Sequence, residues 1–233
     1  MTQLKKPTTY QEQLDILKSR GIIIDDPNQC IAVLETVNYY RFTAYFLPFK
    51  RSDGQYCENT QFSRVYRIYE FDRKLRSVLV AALEEVEIYL RAKLSYFYAH
   101  KYGAEGYMND ANFSSKHQAE KFKENLEREI SSNKRSAFAL WVAVELFSFG
   151  MLSRFYSDMK TEDKKQLARR LYGTVPKNVS SWLRCCTDLR NICAHYGRLY
   201  YRIFPAIPAG IEMKMPQLSQ LWGAVLALKQ LYP

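Results

Sequence analysis

Residues 62–102, FSRVYRIYEFDRKLRSVLVAALEEVEIYLRAKLSYFYAHKY, decide the fold class. Phe71, Leu75, Val78, Leu79, Ala82, Val86, Leu90 and Leu94 recur at helical spacing, which predicts one long helix with these residues on its core-facing stripe. Arg67, Arg73, Lys74, Arg76, Glu84 and Glu85 fall on its other faces. Glu87 and Arg91 stand four apart and pair on one face, as a surface or structural ion pair. Asp72 and Arg76, with Glu87 and Arg91, either support a pocket from behind or form buried ion pairs.

Working outward, the remaining periodic segments are also helical. Before the long helix, 9–20 ends at Gly21, and the next helix is capped by Asp26 or Asn28 with Pro27 near its start. NYYRFTAYFLPF (38–49) closes at Pro48. After the long helix, 103–116 is loop-like, and Ser114 or Ser115 starts a charged helix to about Ser131. Residues 137–149 read as an apolar, buried helix. Thr161 opens a basic helix to Tyr172, and Asn178 or Ser180 starts another. The stretch 203–216 holds Pro205, Pro208, Gly210 and Pro216 and reads as irregular, before a last helix over 218–231. With no strand alternation, the fold class is all-α, with a small N-terminal helical segment (1–60) and a helical domain (61–233), or one continuous domain.

The 233 residues suffice for a core without staples, and 47% hydrophobic against 25% charged marks an ordinary globular chain. Five cysteines, Cys30, Cys57, Cys185, Cys186 and Cys193, are an odd number without a C-x-x-C pair, which argues against a disulfide framework or a structural zinc site. The three histidines are widely separated and no acidic cluster accompanies them, so neither metal nor cofactor is expected. The N-terminus lacks an apolar leader and no segment approaches the length of a membrane span, so a cytoplasmic location is expected, with no membrane partner.

The net charge is +10, and residues 160–202 carry ten Lys and Arg against three acidic residues. Such concentration favours a polyanion, nucleic acid or an anionic membrane surface, over a patch kept only for solubility.

Within that stretch, DLRNICAHYGRLYYR (188–202) concentrates candidate chemistry. Read as helix throughout, it sets Asn191, His195, Arg198 and Arg202 on one face. Arg190 is about 140° away from His195 but can reach it with its long stem, while Gly197 weakens the helix locally and is a point where it ends or bends. Guanidiniums disfavour an imidazolium nearby, so His195 is expected to stay neutral and able to accept a proton. They also bind phosphate oxygens and stabilise charge on a pentacovalent phosphorus. Phosphodiester cleavage without a metal needs an internal nucleophile, which RNA supplies in its 2′-OH and DNA does not. Cys185, Cys186 and Cys193 read as small core residues, and Trp141, Trp182 and Trp222 as core or interface anchors.

RNICAH (190–195) resembles the R-x4–6-H signature of the HEPN superfamily (higher eukaryote and prokaryote nucleotide-binding domain), in the form typical of its ribonucleases. NYYRFTAYFLPF, YEFDRKLRSVLVAALEEVEIYLRAKL (69–94) and RNICAHYGRLYYR (190–202) are similar to bacterial abortive-infection proteins of the AbiD/AbiF type. The resemblance implies a HEPN-like helical bundle and a metal-independent endoribonuclease leaving a 2′,3′-cyclic phosphate. It also implies phage defence by self-inflicted RNA damage, kinship with RNA-cleaving CRISPR effectors whose two motifs meet in one composite site, and a small noncoding RNA as partner in some members. Arg190 and His195 match the signature pair and Asn191 its polar companion; Tyr196 departs from the second His expected in many relatives.

On this reading His195 is the general base, Arg190 holds the scissile phosphate and Asn191 orients the imidazole or ribose. Arg198, Arg202 and Arg184 grip flanking phosphates, and Asp72, Glu87 and Arg91 lie behind. Cleavage also needs an acid for the leaving oxygen, and His100 and His117 sit in unrelated contexts, so a homodimer that joins two strips is expected. Two other readings remain: a non-catalytic RNA-binding HEPN-fold protein in a toxin–antitoxin or RNA–protein complex, and a purely structural protein.

Overall fold

The computed structural model describes residues 6–130 and 138–233, with backbone alone at 129 and 130. The fold is all-α, 68% helical. Among the described residues the helices are α1 (Tyr10–Ser19), α2 (Pro27–Thr36), α3 (Tyr39–Thr43), α4 (Phe62–Tyr102), α5 (Ala119–Ile130), α6 (Leu140–Ala143), α7 (Phe149–Asp158), α8 (Thr161–Tyr172), α9 (Pro176–Ala194) and α10 (Leu221–Leu231). None is long and apolar enough to cross a membrane.

Local chemistry accounts for most boundaries. Thr9 and Glu12 form a reciprocal capping box on α1. Asp26, not Asn28, caps α2 by accepting from the amides of Asn28 and Gln29, with Pro27 at the first helical position. Asn38 caps α3 in the same way. α9 starts at Pro176 rather than at Asn178 or Ser180, and α5 starts at Ala119 rather than Ser114 or Ser115. The expected end of α5 near Ser131 lies outside the described residues. The expected apolar helix over 137–149 does not form over its described part. α6 and a 3-10 turn (Val144–Leu146) are followed by extended Phe147. Ser148 then caps α7, its Oγ accepting from the Met151 amide. Apolar periodicity is blind to a capping serine that restarts the helix.

The chain divides into two compact units, with the division inside α4. The first comprises Met1–Arg76 and Arg198–Tyr201. Leu14, Leu17, Cys30, Leu34, Phe42, Phe46, Phe62 and Val65 form its core. Here the expected stripe on α4 is rotated: Phe71 is 67% exposed, and Val65, Tyr69, Asp72 and Arg76 face inward instead. Asp72 and Arg76 bond each other at 2.5 Å, and Tyr45 Oη donates to the same carboxylate at 2.7 Å. The Asp72 carboxylate also accepts from the amides of Leu199 and Tyr200, at 3.3 and 2.8 Å. Of the two readings of Asp72 and Arg76 this is the buried ion pair; it takes inward positions on α4 because partners from elsewhere satisfy it.

The second unit comprises Ser77–Gly197 and Arg202–Pro233. Leu79, Leu83, Val86, Leu90, Leu94 and Tyr98 are the inward row of α4, while Val78 is 66% exposed. α9 packs on α7, α8 and α10 through Val179, Trp182, Leu183, Cys185, Cys186, Leu189 and Cys193. Lys101 and Tyr102 both donate to the fully buried Asp163, which ties α4 to α8. Trp182 is a core residue, whereas Trp141 and Trp222 are more than half exposed.

Three of the buried cysteines are held as thiols. Burial pushes Cys30 up to about 11 and Cys185 up to about 12, and raises Cys186 well above the ordinary thiol range. A raised thiol pKa leaves little thiolate at pH 8. Treatment of folded protein with a thiol reagent at pH 8 is expected to label exposed Cys57 at once and the four buried cysteines only on unfolding; rapid labelling of Cys185 or Cys186 contradicts this packing.

Candidate functional site

The site expected from the sequence sits where α9 ends. Tyr196 N–H donates to Cys193 O at 3.0 Å and Gly197 N–H to Ile192 O at 2.6 Å, while Tyr196 adopts φ +55°. This is the crossed hydrogen-bond pair of a Schellman turn, with tyrosine where glycine is usual. His195 is thereby the last residue before the chain turns. The left-handed conformation costs a non-glycine residue ~1–2 kcal/mol, and glycine's extra freedom in the unfolded chain takes back part of that. Tyr196→Gly is expected to raise the unfolding free energy by about 0.5–1 kcal/mol in a urea titration; a lower midpoint would show that contacts of the tyrosine outweigh the strain.

The turn corrects the expected geometry. Asn191 and His195 do share a face, but Arg198 and Arg202 do not continue it, because α9 stops at Ala194. Arg198 belongs to the first unit, where its guanidinium donates to Ala44 O at 2.5 Å. Arg202 is exposed in irregular chain of the second unit. The face of Asn191 and His195 extends the other way: Arg184, Asp188, Asn191 and His195 follow at steps of four, three and four on one helix. Asn191, His195 and Arg184 are exposed, and Asp188 is half-buried. Arg190 is half-buried on the flank of α9, in its penultimate turn rather than its first. Among the described residues, no hydrogen bond or ion pair engages the side chains of Arg190, Asn191 or His195, nor joins Arg190 to His195.

The supporting carboxylates have other work. The partners of Asp72 are Tyr45, Arg76, Leu199 and Tyr200, all in the first unit. Glu87 and Arg91 form the expected i,i+4 pair at 2.5 Å. Arg91 also donates to Phe147 O at 2.9 Å and lies 3.6 Å from Glu145, so the pair anchors the segment leading into α7. Lys164 is likewise withdrawn from the basic stretch: its ammonium donates to Ser157 O, and burial, with Lys116 nearby, pushes its pKa down. Lys160, Lys165, Arg169, Arg170 and Lys177 remain on the surface.

His117 is also committed. It is buried, stacked on Phe113 at 4.0 Å between ring centres and 3.1 Å from Asp158. His100 is exposed and bonded through Nδ1 to Tyr96 O. Arg154 of α7 escaped the sequence reading. It lines an open hollow of about 680 Å³ together with Arg184. The basic stretch already places Arg184 among the expected phosphate contacts; nothing in the sequence links Arg154 to it.

No curated protein and no solved structure matches the chain. A family model described as Abi-like protein matches residues 32–201, which takes in α3, α4 and the RNICAH segment. With well over half of its length inside that match, the chain belongs to the Abi-like family of abortive-infection proteins.

Proposed function

We propose that this protein is a metal-independent endoribonuclease with a HEPN-like bundle, cleaving RNA at a site completed by two protomers. The observation that carries the reading is the exposed end of α9, where Asn191 and His195 offer uncommitted side chains to solvent and Arg190 flanks them. A structural histidine is ordinarily buried and bonded, as His117 is.

In the proposed reaction the His195 imidazole takes the proton of a ribose 2′-OH. The 2′-oxygen attacks the adjacent phosphorus, the bond to the 5′-oxygen breaks, and that oxygen leaves with a proton from an acid. The products are a 2′,3′-cyclic phosphate and a 5′-hydroxyl. Arg190 neutralises the phosphorane, with Asn191 orienting base or ribose. Because His117 is sequestered, the simplest acid is His195 of a second copy, brought in by a two-fold axis. Cellular RNA damage of this kind would serve phage defence, and a small noncoding RNA or an antitoxin would hold the enzyme silent.

The test is cleavage of labelled RNA by purified protein in EDTA, with the termini identified and the mass measured by light scattering. Cyclic phosphate ends from a dimer support the reading. An active monomer removes the shared site. RNA binding without cleavage leaves the non-catalytic alternative, an RNA-binding HEPN-fold protein.

A further inference from the structure

The second unit contains a groove that the cleavage site does not use. The Pro-rich connector after Arg202 is pinned to α9, with Ala209 N–H donating to Ser181 Oγ and Trp182 Nε1–H to Ala209 O, both at 2.8 Å. Gly210 permits this approach: it has φ +70°, and a Cβ there would lie 2.2 Å from Asn178 Nδ2. Pro205 and Ile207 of the connector, Arg154 and Ser157 of α7, and Arg184 and Thr187 of α9 surround the 680 Å³ hollow. A second hollow of about 280 Å³ shares Gly150 and Arg154 with it and runs on to Lys121 and Arg128 of α5. Arg154 therefore stands at the junction of one longer groove.

The charge of that groove is one-sided. Its two acidic residues are Asp158, buried against His117, and Asp188, which has one oxygen buried without a partner. Against them stand four cations, of which Arg154 and Arg184 are exposed and make no hydrogen bond or ion pair among the described residues. Guanidiniums with hydroxyls beside them suit phosphate and ribose, and the apolar wall of Pro205 and Ile207 suits unpaired bases. Arg184 lies on the same α9 face as His195, ~16 Å along the axis, or about five stacked nucleotides at ~3.4 Å each.

We infer that this groove is a track for a single RNA strand, whose phosphates sit on Arg154 and Arg184 and whose chain continues along α9 to Asn191 and His195. The inference deepens the ribonuclease reading, but its binding part stands without turnover. Guanidinium contacts here would set how long an RNA must be to bind well, apart from the chemistry at the helix end.

The experiment uses full-length His195→Ala protein, so that RNA stays intact, and a labelled unpaired 20-nucleotide RNA followed by anisotropy across a salt series. Adding Arg154→Ala and Arg184→Ala is expected to weaken binding about tenfold and to lower the slope of log affinity against log salt by ~1.4, two contacts at ~0.7 each. Should that variant fail to fold, Lys121→Ala is expected to lower the slope by ~0.7. Unchanged affinity and slope, or no RNA binding by His195→Ala protein, overturns the track; equally tight binding of a duplex overturns its single-strand assignment. Wild-type protein that binds through the groove yet never cuts RNA defeats only the nuclease reading.

Discussion

His195→Ala protein is expected to cut RNA ~10²–10⁴-fold more slowly than wild type, toward the upper end if one residue serves as base in one protomer and acid in the other. The imidazole is exposed and makes no side-chain hydrogen bond among the described residues, and alanine is a good helix former at the end of α9. Stability should therefore change by no more than about 0.5 kcal/mol. A circular-dichroism melt that overlays the wild type, beside lost cleavage, assigns the loss to chemistry. Cleavage at the wild-type rate would remove His195 from the reaction, and the shared site with it. Mixing His195→Ala with wild-type protein adds a sharper check. Heterodimers hold a single imidazole, so they would be nearly as slow as the variant if the composite site needs base and acid from two protomers, and keep about half the wild-type activity if each end of α9 works alone.

Asp72→Ala is expected to lower the unfolding free energy by ~3–5 kcal/mol. The substitution strips the acceptor from three kinds of donor at once. Arg76, its side chain only 7% exposed, loses its carboxylate partner, Tyr45 Oη loses its acceptor, and the amides of Leu199 and Tyr200 lose theirs. Each orphaned buried donor costs about 1–3 kcal/mol by itself. Converting the ion pair to Asp72→Leu with Arg76→Met distinguishes the parts. It removes the charge without leaving one unpaired, so any residual loss reports the two amides and the tyrosine. A urea midpoint unchanged by Asp72→Ala would mean that water satisfies these groups and that the carboxylate is not what holds Arg198–Tyr201 in the first unit.

The parts of the fold legible in advance depend on neighbours a few residues apart. The Asp26 cap, one of two offered, the span of α4 and the exact limits of α8 follow from capping chemistry and helical spacing. The errors fall where two local signals compete or where a distant group intervenes. Gly197 marked a weak point in the last helical turn, yet the left-handed residue is Tyr196, one position earlier. Ser148 broke a largely apolar run that reads as one helix. Phe71 and Val78 fit the apolar periodicity of α4, but Asp72 and Arg76 took the inward places.

From its sequence alone this protein is determined to be all-α, basic in its C-terminal third, and equipped with Arg190, Asn191 and His195 at a spacing that resembles a known signature. Those features are written in side-chain charge, capping groups and a 3.6-residue period, all of which act within a turn or two. The tertiary structure alone decided that the arginines after His195 leave its helix, that Arg198 is spent on Ala44, and that Arg154 and Arg184 meet across one hollow. A long cationic side chain is equally content in water, in an ion pair or on a carbonyl. Its assignment depends on which partner packing brings within reach.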